Sequence, residues 1–425
     1  MTLDSGATLL HQRNPVSPTV AFGVWISRGS RDEKPSERGL SHLLEHMVFR
    51  GTGKRSALDI ALDLESIGGQ WDAFTGKEST CYHGKVLEEH FGTFAEILAD
   101  IVLDPSLPAD AFSMERRVVQ EEIRSVRDTP EEVAFELFYS SLFAPDQLGY
   151  PVAGRIGDVV SCTRARLFDF HEKTYTAGNA IFAFIGNIPA AAVAREIDRL
   201  FVFRRAGTRG ARRRRAVFSG RRRSSVARAD WTQSHLCAGV KIPSASHPDR
   251  FPLIVFSNIL GGGVSSRMFQ SLREKAGLAY SVFSSASFFT DAGAFSTYFS
   301  VDPKNLEKAL GIYRQVMDEL RRGGVTKGEL ESAVSQIKAS VIFGVESVES
   351  RLFRLIHSEV FYGEYQTMPR ILGAIERVRA RDVARVIGEY FDEEMHTYAT
   401  CGPRSLKGLV PGGAVASRRR ERGRR

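Results

Sequence analysis

The chain has 425 residues, 43% hydrophobic and 25% charged, the composition of an ordinary globular protein with room for two or three domains. Its net charge of +8 misleads: residues 204–228 carry eleven arginines and no acid, residues 417–425 carry six arginines against Glu421, and without those +11 and +5 the remainder stands at about −8. No apolar stretch approaches the ~18 residues of a membrane span, and the start MTLDSGATLLHQRN lacks the basic and apolar regions of a secretory signal, so a cytoplasmic protein with no membrane span is expected. Cys81, Cys162, Cys237 and Cys401 lie far apart without a CxxC pair, which argues against a disulfide framework or a thiolate metal site and for buried reduced thiols.

In chain order, the first clear element is the alternating strand TVAFGVWIS (19–27). The segment RGLSHLLEHMVFRGT (38–52) follows and carries the strongest signal in the chain. At about 100° per residue, Leu40, Leu43, Leu44, Met47 and Val48 share one helical face, while His42, Glu45, His46 and Phe49 share the opposite one. One stripe is then buried while two imidazoles one turn apart converge on a point, as zinc requires of neutral histidine nitrogens. Glu45, next to His46, reaches a water at the metal without displacing a ligand. This is the HxxEH pattern, the reverse of HExxH.

A catalytic zinc takes three protein ligands and keeps a position open. The helix MERRVVQEEIRSV (114–126) offers Glu115, Glu121 and Glu122. Glu115 and Glu122, seven apart, lie on one face, and Glu121 points away with Arg117. If that face looks at the histidines, Glu122 ligates and Glu115 supports from behind.

Further along, RRAGTRGARRRRAVFSGRRRSSVAR (204–228) is a solvated linker by composition, and residues 411–425 read as a disordered basic tail. The halves on either side look alike. HLCAGVKI (235–242) repeats the early strand, ERRVVQEEIRSVRDTPEE (115–132) resembles ELESAVSQIKASVIFGVES (329–347), and IGDVVSCTRARLFDFHEKTY (156–175) resembles LGAIERVRARDVARVIGEYF (372–391). The shared order points to a duplicated α+β unit: residues 1–203, then residues 229–410. GTGKRS (51–56) fails as a phosphate loop, since Arg55 separates the lysine from the serine and a helix precedes it. The arginine runs have no aromatic interleaving, so no nucleic-acid partner is expected; an RNA-binding reading would rest on them alone. The remaining histidines show no second ligand spacing.

The motif, its spacing to Glu115 and Glu122, and the segments GSRDEKPSERGLSHLLEHMVFRGT, ESIGGQWDAFTGKESTCY, EEIRSVRDTPEE and LGGGVSSRMFQSLREKAGLAYSV together resemble the pitrilysin family. That family includes insulin-degrading enzyme and the mitochondrial processing peptidases, and the likeness is to its short two-domain bacterial members. The resemblance implies two homologous domains, each a mixed sheet backed by helices, with one Zn2+ per chain in the first. It implies His42, His46 and Glu122 as ligands, Glu45 and Glu115 as the catalytic carboxylates, and peptide hydrolysis as the reaction. The strand WDAFT (71–75) is expected to pair with substrate backbone through Asp72, Ala73 and Phe74. Asp72 departs from the family's usual asparagine. Arg273 and Tyr280 match a substrate-contacting pair of the second half, while Gln336 stands at the position of Glu122. Relatives of this size work as homodimers or heterodimers with a sister subunit, enclosing a chamber. A non-catalytic assembly subunit of the same family is the alternative; such members lose part of the metal set, which is complete here.

Overall fold

The computed structural model describes residues 1–207, 216–217, 222–227, 231–403 and 415–417. The chain resolves into two units that interleave along the sequence. The first comprises Met1–Arg124, Tyr150–Arg214 and Phe343–Tyr365; the second comprises Ser125–Gly149, Arg215–Ile342 and Gln366–Arg425.

In the first unit, strands β1 (Thr8–Arg13), β2 (Thr19–Ile26), β3 (Gln70–Thr75), β4 (Thr80–Leu87) and β5 (Ala180–Gly186) form one sheet in the order β1-β5-β2-β4-β3. Only the β1–β5 pair is parallel, so the sheet is mixed, and β3 is left at an edge. Strand β2 is buried along almost its whole length, beyond what alternation alone predicts, because both faces of the sheet are covered. Val20, Phe22, Val24 and Ile26 enter a core shared with helices α1 (Leu40–Val48), α2 (Ala57–Ser66), α3 (Phe91–Leu103) and α4 (Ala109–Asp128). Ala21 and Trp25 face the other way, with Cys81, Ile181 and Ala183, against Leu352, Leu355 and Ile356 of the helix Val348–Tyr362. A segment more than 150 residues away in sequence thus closes the outer face of this sheet.

The second unit repeats the plan. Strands β6 (Arg222–Ala227), β7 (Ser234–Ile242), β8 (Ala279–Phe288), β9 (Gly293–Val301), β10 (Thr397–Gly402) and β11 (Val415–Ser417) take the order β11-β6-β10-β7-β9-β8. The run β6-β10-β7-β9-β8 matches β1-β5-β2-β4-β3 strand for strand, including the parallel pair β6–β10. Leu236, Ala238 and Val240 of β7 pack with Phe256, Ile259, Tyr313 and Met317 on one face. Cys237, Tyr298, Ala399 and Cys401 meet Ala134, Leu137, Phe138 and Leu142 of helix α5 (Pro130–Leu142) on the other. The duplicated α+β architecture expected from the sequence is therefore present, with helices on both faces of each sheet. All four cysteines are buried and free. Among the described residues, no helix is long and apolar enough to cross a membrane.

Most of the arginine-rich segment and of the basic tail lies outside the described residues. The parts described include β6 and β11, the former at the place β1 holds in the first sheet. Strand pairing is made by backbone groups, so a stretch that composition marks as a linker can still supply a strand.

Candidate metal centre

Helix α1 starts at Gly39, whose φ of 82° is left-handed. A Cβ there would lie 2.8 Å from the Ala153 carbonyl oxygen, so glycine is required both for the dihedral and for the space. Glycine has no capping side chain, and the cap comes from upstream. The buried Glu33 carboxylate accepts from the backbone N–H of Gly39 at 2.9 Å and of Ser41 at 2.8 Å. Burial pushes the Glu33 carboxyl up to about 7, partly offset by those two hydrogen bonds. Leu40, Leu43, Leu44, Met47 and Val48 then bury the apolar stripe, and His42, Glu45 and His46 face outward from it.

Helix α4 brings the distant carboxylates in. His42 Nε2 lies 3.6 Å from Glu122 Oε1, and His46 Nε2 lies 3.6 Å from Glu122 Oε2. One donor atom from each of His42, His46 and Glu122 falls within 4.8 Å of the others, which happens for no other such trio among the described residues. Donors on a tetrahedral zinc stand roughly 3.4 Å apart if each is 2.0–2.1 Å from the ion. The spacing therefore fits a metal with little movement, and two imidazoles with a carboxylate suit zinc.

Glu115 lies behind His46, its side chain wholly buried, with Oε2 3.1 Å from His46 Nδ1. A proton on Nδ1 leaves the Nε2 lone pair for a metal. The other oxygen of Glu115 is 2.8 Å from Arg50 Nε, a charge pair without hydrogen-bond alignment. His42 is pushed down to about 4, first by burial and then by the neighbouring His46, which keeps it neutral and able to donate. Its Nδ1 is buried with no hydrogen-bond partner among the described residues.

Glu45 accepts a 2.7 Å hydrogen bond from Thr75 Oγ1 at the end of β3. Burial raises its pKa above the ordinary carboxylate range, against the lowering effect of the Thr75 hydroxyl and His46. Asp72 and Ala73 join Glu45, His46, Phe49, Arg50, Ile60 and Trp71 around a cavity of about 340 Å3. Asp72 Oδ1 accepts from the Ala73 N–H at 2.9 Å, so the carboxylate covers a backbone donor of its own strand. Phe74 lies apart from this cavity; its ring meets Phe353 at 5.9 Å and His83 at 6.2 Å.

Arg273 and Tyr280 belong to the second unit. Arg273 sits in a π-helical turn, Phe269–Lys275, donates to the Tyr280 carbonyl oxygen at 2.9 Å and lies 4.6 Å from the Tyr280 ring centre. Tyr280 is 77% exposed. Gln336 accepts a 3.4 Å hydrogen bond from Asn258 Nδ2.

The sequence reading did not single out Glu33, Arg50 or Thr75. Glu33 and Thr75 lie inside segments quoted for their resemblance, but only the folded chain shows what they touch. Arg50 had one available signal: it stands four residues after His46, as His46 stands four after His42.

Residues 8–155 match the family described as Insulinase (Peptidase family M16), and residues 161–337 match the peptidase M16 inactive domain. A protein of Mycobacterium tuberculosis named an uncharacterized zinc protease is 34% identical over 418 residues, covering 96% of this chain and 94% of that one. The uncharacterized zinc protease YmxG of Bacillus subtilis is 33% identical over 393 residues, covering 92% and 95%. The structure of a protease from Helicobacter pylori superposes with a TM-score of 0.89 at 23% identity, over 95% of this chain and 98% of that one. A structure from Pseudomonas fluorescens, described as a peptidase M16 inactive domain, also superposes at 0.89, with 18% identity over 95% and 97%. At such identities the structural likeness shows the fold; the sequence relatives, matched end to end, show that this chain belongs to the M16 peptidase family, in its two-domain bacterial form.

Proposed function

We propose that the protein is a zinc-dependent endopeptidase that hydrolyses peptides or unfolded segments. The observation that carries this reading is the convergence of His42, His46 and Glu122 beside the half-buried carboxyl of Glu45. A zinc ion held by those three residues supplies Lewis acidity toward a carbonyl oxygen and lowers the pKa of water. Glu45 takes a proton from the attacking water and passes it to the leaving nitrogen. The Thr75 hydroxyl holds Glu45 in one rotamer, and Glu115 holds the His46 ring. Strand β3, the edge strand of its sheet among the described residues, offers backbone N–H and C=O groups to an extended peptide beside the same residues. For that pairing Asp72 gives up the Ala73 N–H, and its carboxylate is then available to a basic substrate residue. Phe74 of the same strand contacts substrate with Asp72 and Ala73. Arg273 and Tyr280, in the second domain, residues 229–410, bind substrate held by the catalytic domain, residues 1–203, of the other subunit. Two chains, alike or sister subunits, enclose the chamber in the cytoplasm.

Metal analysis tests the reading. Purified protein is expected to hold one zinc per chain, Glu45→Gln to keep it, and His42→Ala or His46→Ala to lose it. Protein without zinc affinity would instead favour the non-catalytic assembly subunit.

A further inference from the structure

Residues 42, 46 and 50 follow one line along α1 and its C-terminal turn, and the third of them is a cation. Arg50 points back at Glu115, whose side chain has no exposed surface. A carboxylate removed from water needs a compensating charge or an equivalent set of hydrogen bonds. Its oxygens divide between two neighbours: Oε2 meets His46 Nδ1 at 3.1 Å, and Oε1 meets Arg50 Nε at 2.8 Å. A neutral imidazole that donates to a metal through Nε2 is a dipole and brings no counter-charge. Arg50 is the cation paired with this carboxylate among the described residues.

We infer that Arg50 is a positioning residue of the metal centre, acting through Glu115 on His46. Its guanidinium balances and anchors the buried carboxylate, and the anchored carboxylate fixes the ring of His46 with Nε2 turned toward His42 and Glu122. The Arg50 side chain, 39% exposed, also borders the cavity beside Glu45 and Asp72. The inference rests on the zinc reading proposed above.

The test is the zinc dissociation constant of the full-length protein, measured by competition with a chromophoric chelator. It compares wild type with Arg50→Met, Arg50→Lys, Glu115→Gln and the Arg50→Met/Glu115→Gln pair. Loss of a partner behind a ligating histidine typically weakens metal binding about 10–100-fold, and Arg50→Met is expected in that range. Arg50→Lys is expected to recover part of the loss, since an ammonium restores the charge but not the reach and shape of the guanidinium. Glutamine at 115 needs no counter-charge, so Arg50→Met is expected to cost nothing further in that background. A purely structural role would lower thermal stability while leaving the zinc affinity of folded protein unchanged. Wild-type affinity in Arg50→Met overturns the inference, as does an equal further loss in the Glu115→Gln background. Should Arg50→Met leave too little folded protein, Arg50→Gln, which removes the charge but keeps a polar side chain, is measured in its place under the same criterion. A wild-type protein that binds no zinc overturns the metal reading and this inference together; zinc bound equally by wild type and Arg50→Met overturns the inference alone.

Discussion

Glu45 is half-buried beside the cavity and accepts a hydrogen bond from the Thr75 hydroxyl at 2.7 Å. Burial alone pushes its pKa upward, which makes a stronger base; the hydroxyl restrains that shift and selects the rotamer. Thr75→Val keeps shape and removes the donor. It is expected to lower kcat about 10-fold, within the contribution of a positioned base, with KM and zinc content unchanged and with Thr75→Ser restoring the rate. Steady-state kinetics with metal analysis checks this, and an unchanged kcat for Thr75→Val would remove Thr75 from the account.

His42 gives a second prediction at the same scale, for the metal-free protein. Its pKa falls from 6.5 unfolded to about 4 folded, so the unfolded chain binds the proton more readily between those values. The contribution of neutral His42 is present above pH 6.5 and is lost as pH falls toward 4. At 1.36 kcal/mol per pKa unit the loss approaches about 3 kcal/mol. Urea unfolding of metal-free wild type and His42→Asn across that range is expected to show wild type losing its advantage on acidification. A pH-independent difference would contradict the assigned environment of His42.

Among the elements, α1 decides whether the site exists. Gly39 lets the chain enter the helix in a left-handed conformation, and Glu33 supplies the cap that glycine lacks. Removing a cap costs about 0.5–2 kcal/mol, and Glu33→Ala is expected to destabilise the protein by that amount at pH 8, read by chemical denaturation. An unaltered midpoint would show that the cap is dispensable. The helix itself was legible because burial imposes a period on it: Leu40, Leu43, Leu44, Met47 and Val48 announce one face, and the histidines occupy the other. Glu115 and Glu122 were legible for the same reason. Arg50, Thr75 and Glu33 were not, because each acts through one contact across space and no periodic pattern records such a contact.

Across the whole molecule, the duplication was visible in three pairs of similar segments, and the matching strand orders of the two sheets carry it further than sequence similarity did. Two features stayed hidden. Strand β6 lies within an arginine-rich run whose composition resembles solvated linker, since backbone pairing leaves little compositional trace. The helices α5 and Val348–Tyr362 each cover a sheet in the unit formed mainly by the other half of the chain, because an apolar helix face specifies burial without specifying the surface that buries it. Sequence therefore located the cluster of His42, His46 and Glu122 more completely than the architecture that supports it.

The central claim is that His42, His46 and Glu122 hold a metal whose chemistry Glu45 completes. Cleavage of a quenched fluorescent peptide library by the purified protein, with and without a chelator and beside Glu45→Gln, tests it most directly. The account predicts cleavage that the chelator abolishes and that falls by about 10²–10⁴ or more in Glu45→Gln, with zinc still bound. Cleavage that survives the chelator, or that is equal in Glu45→Gln, would contradict it.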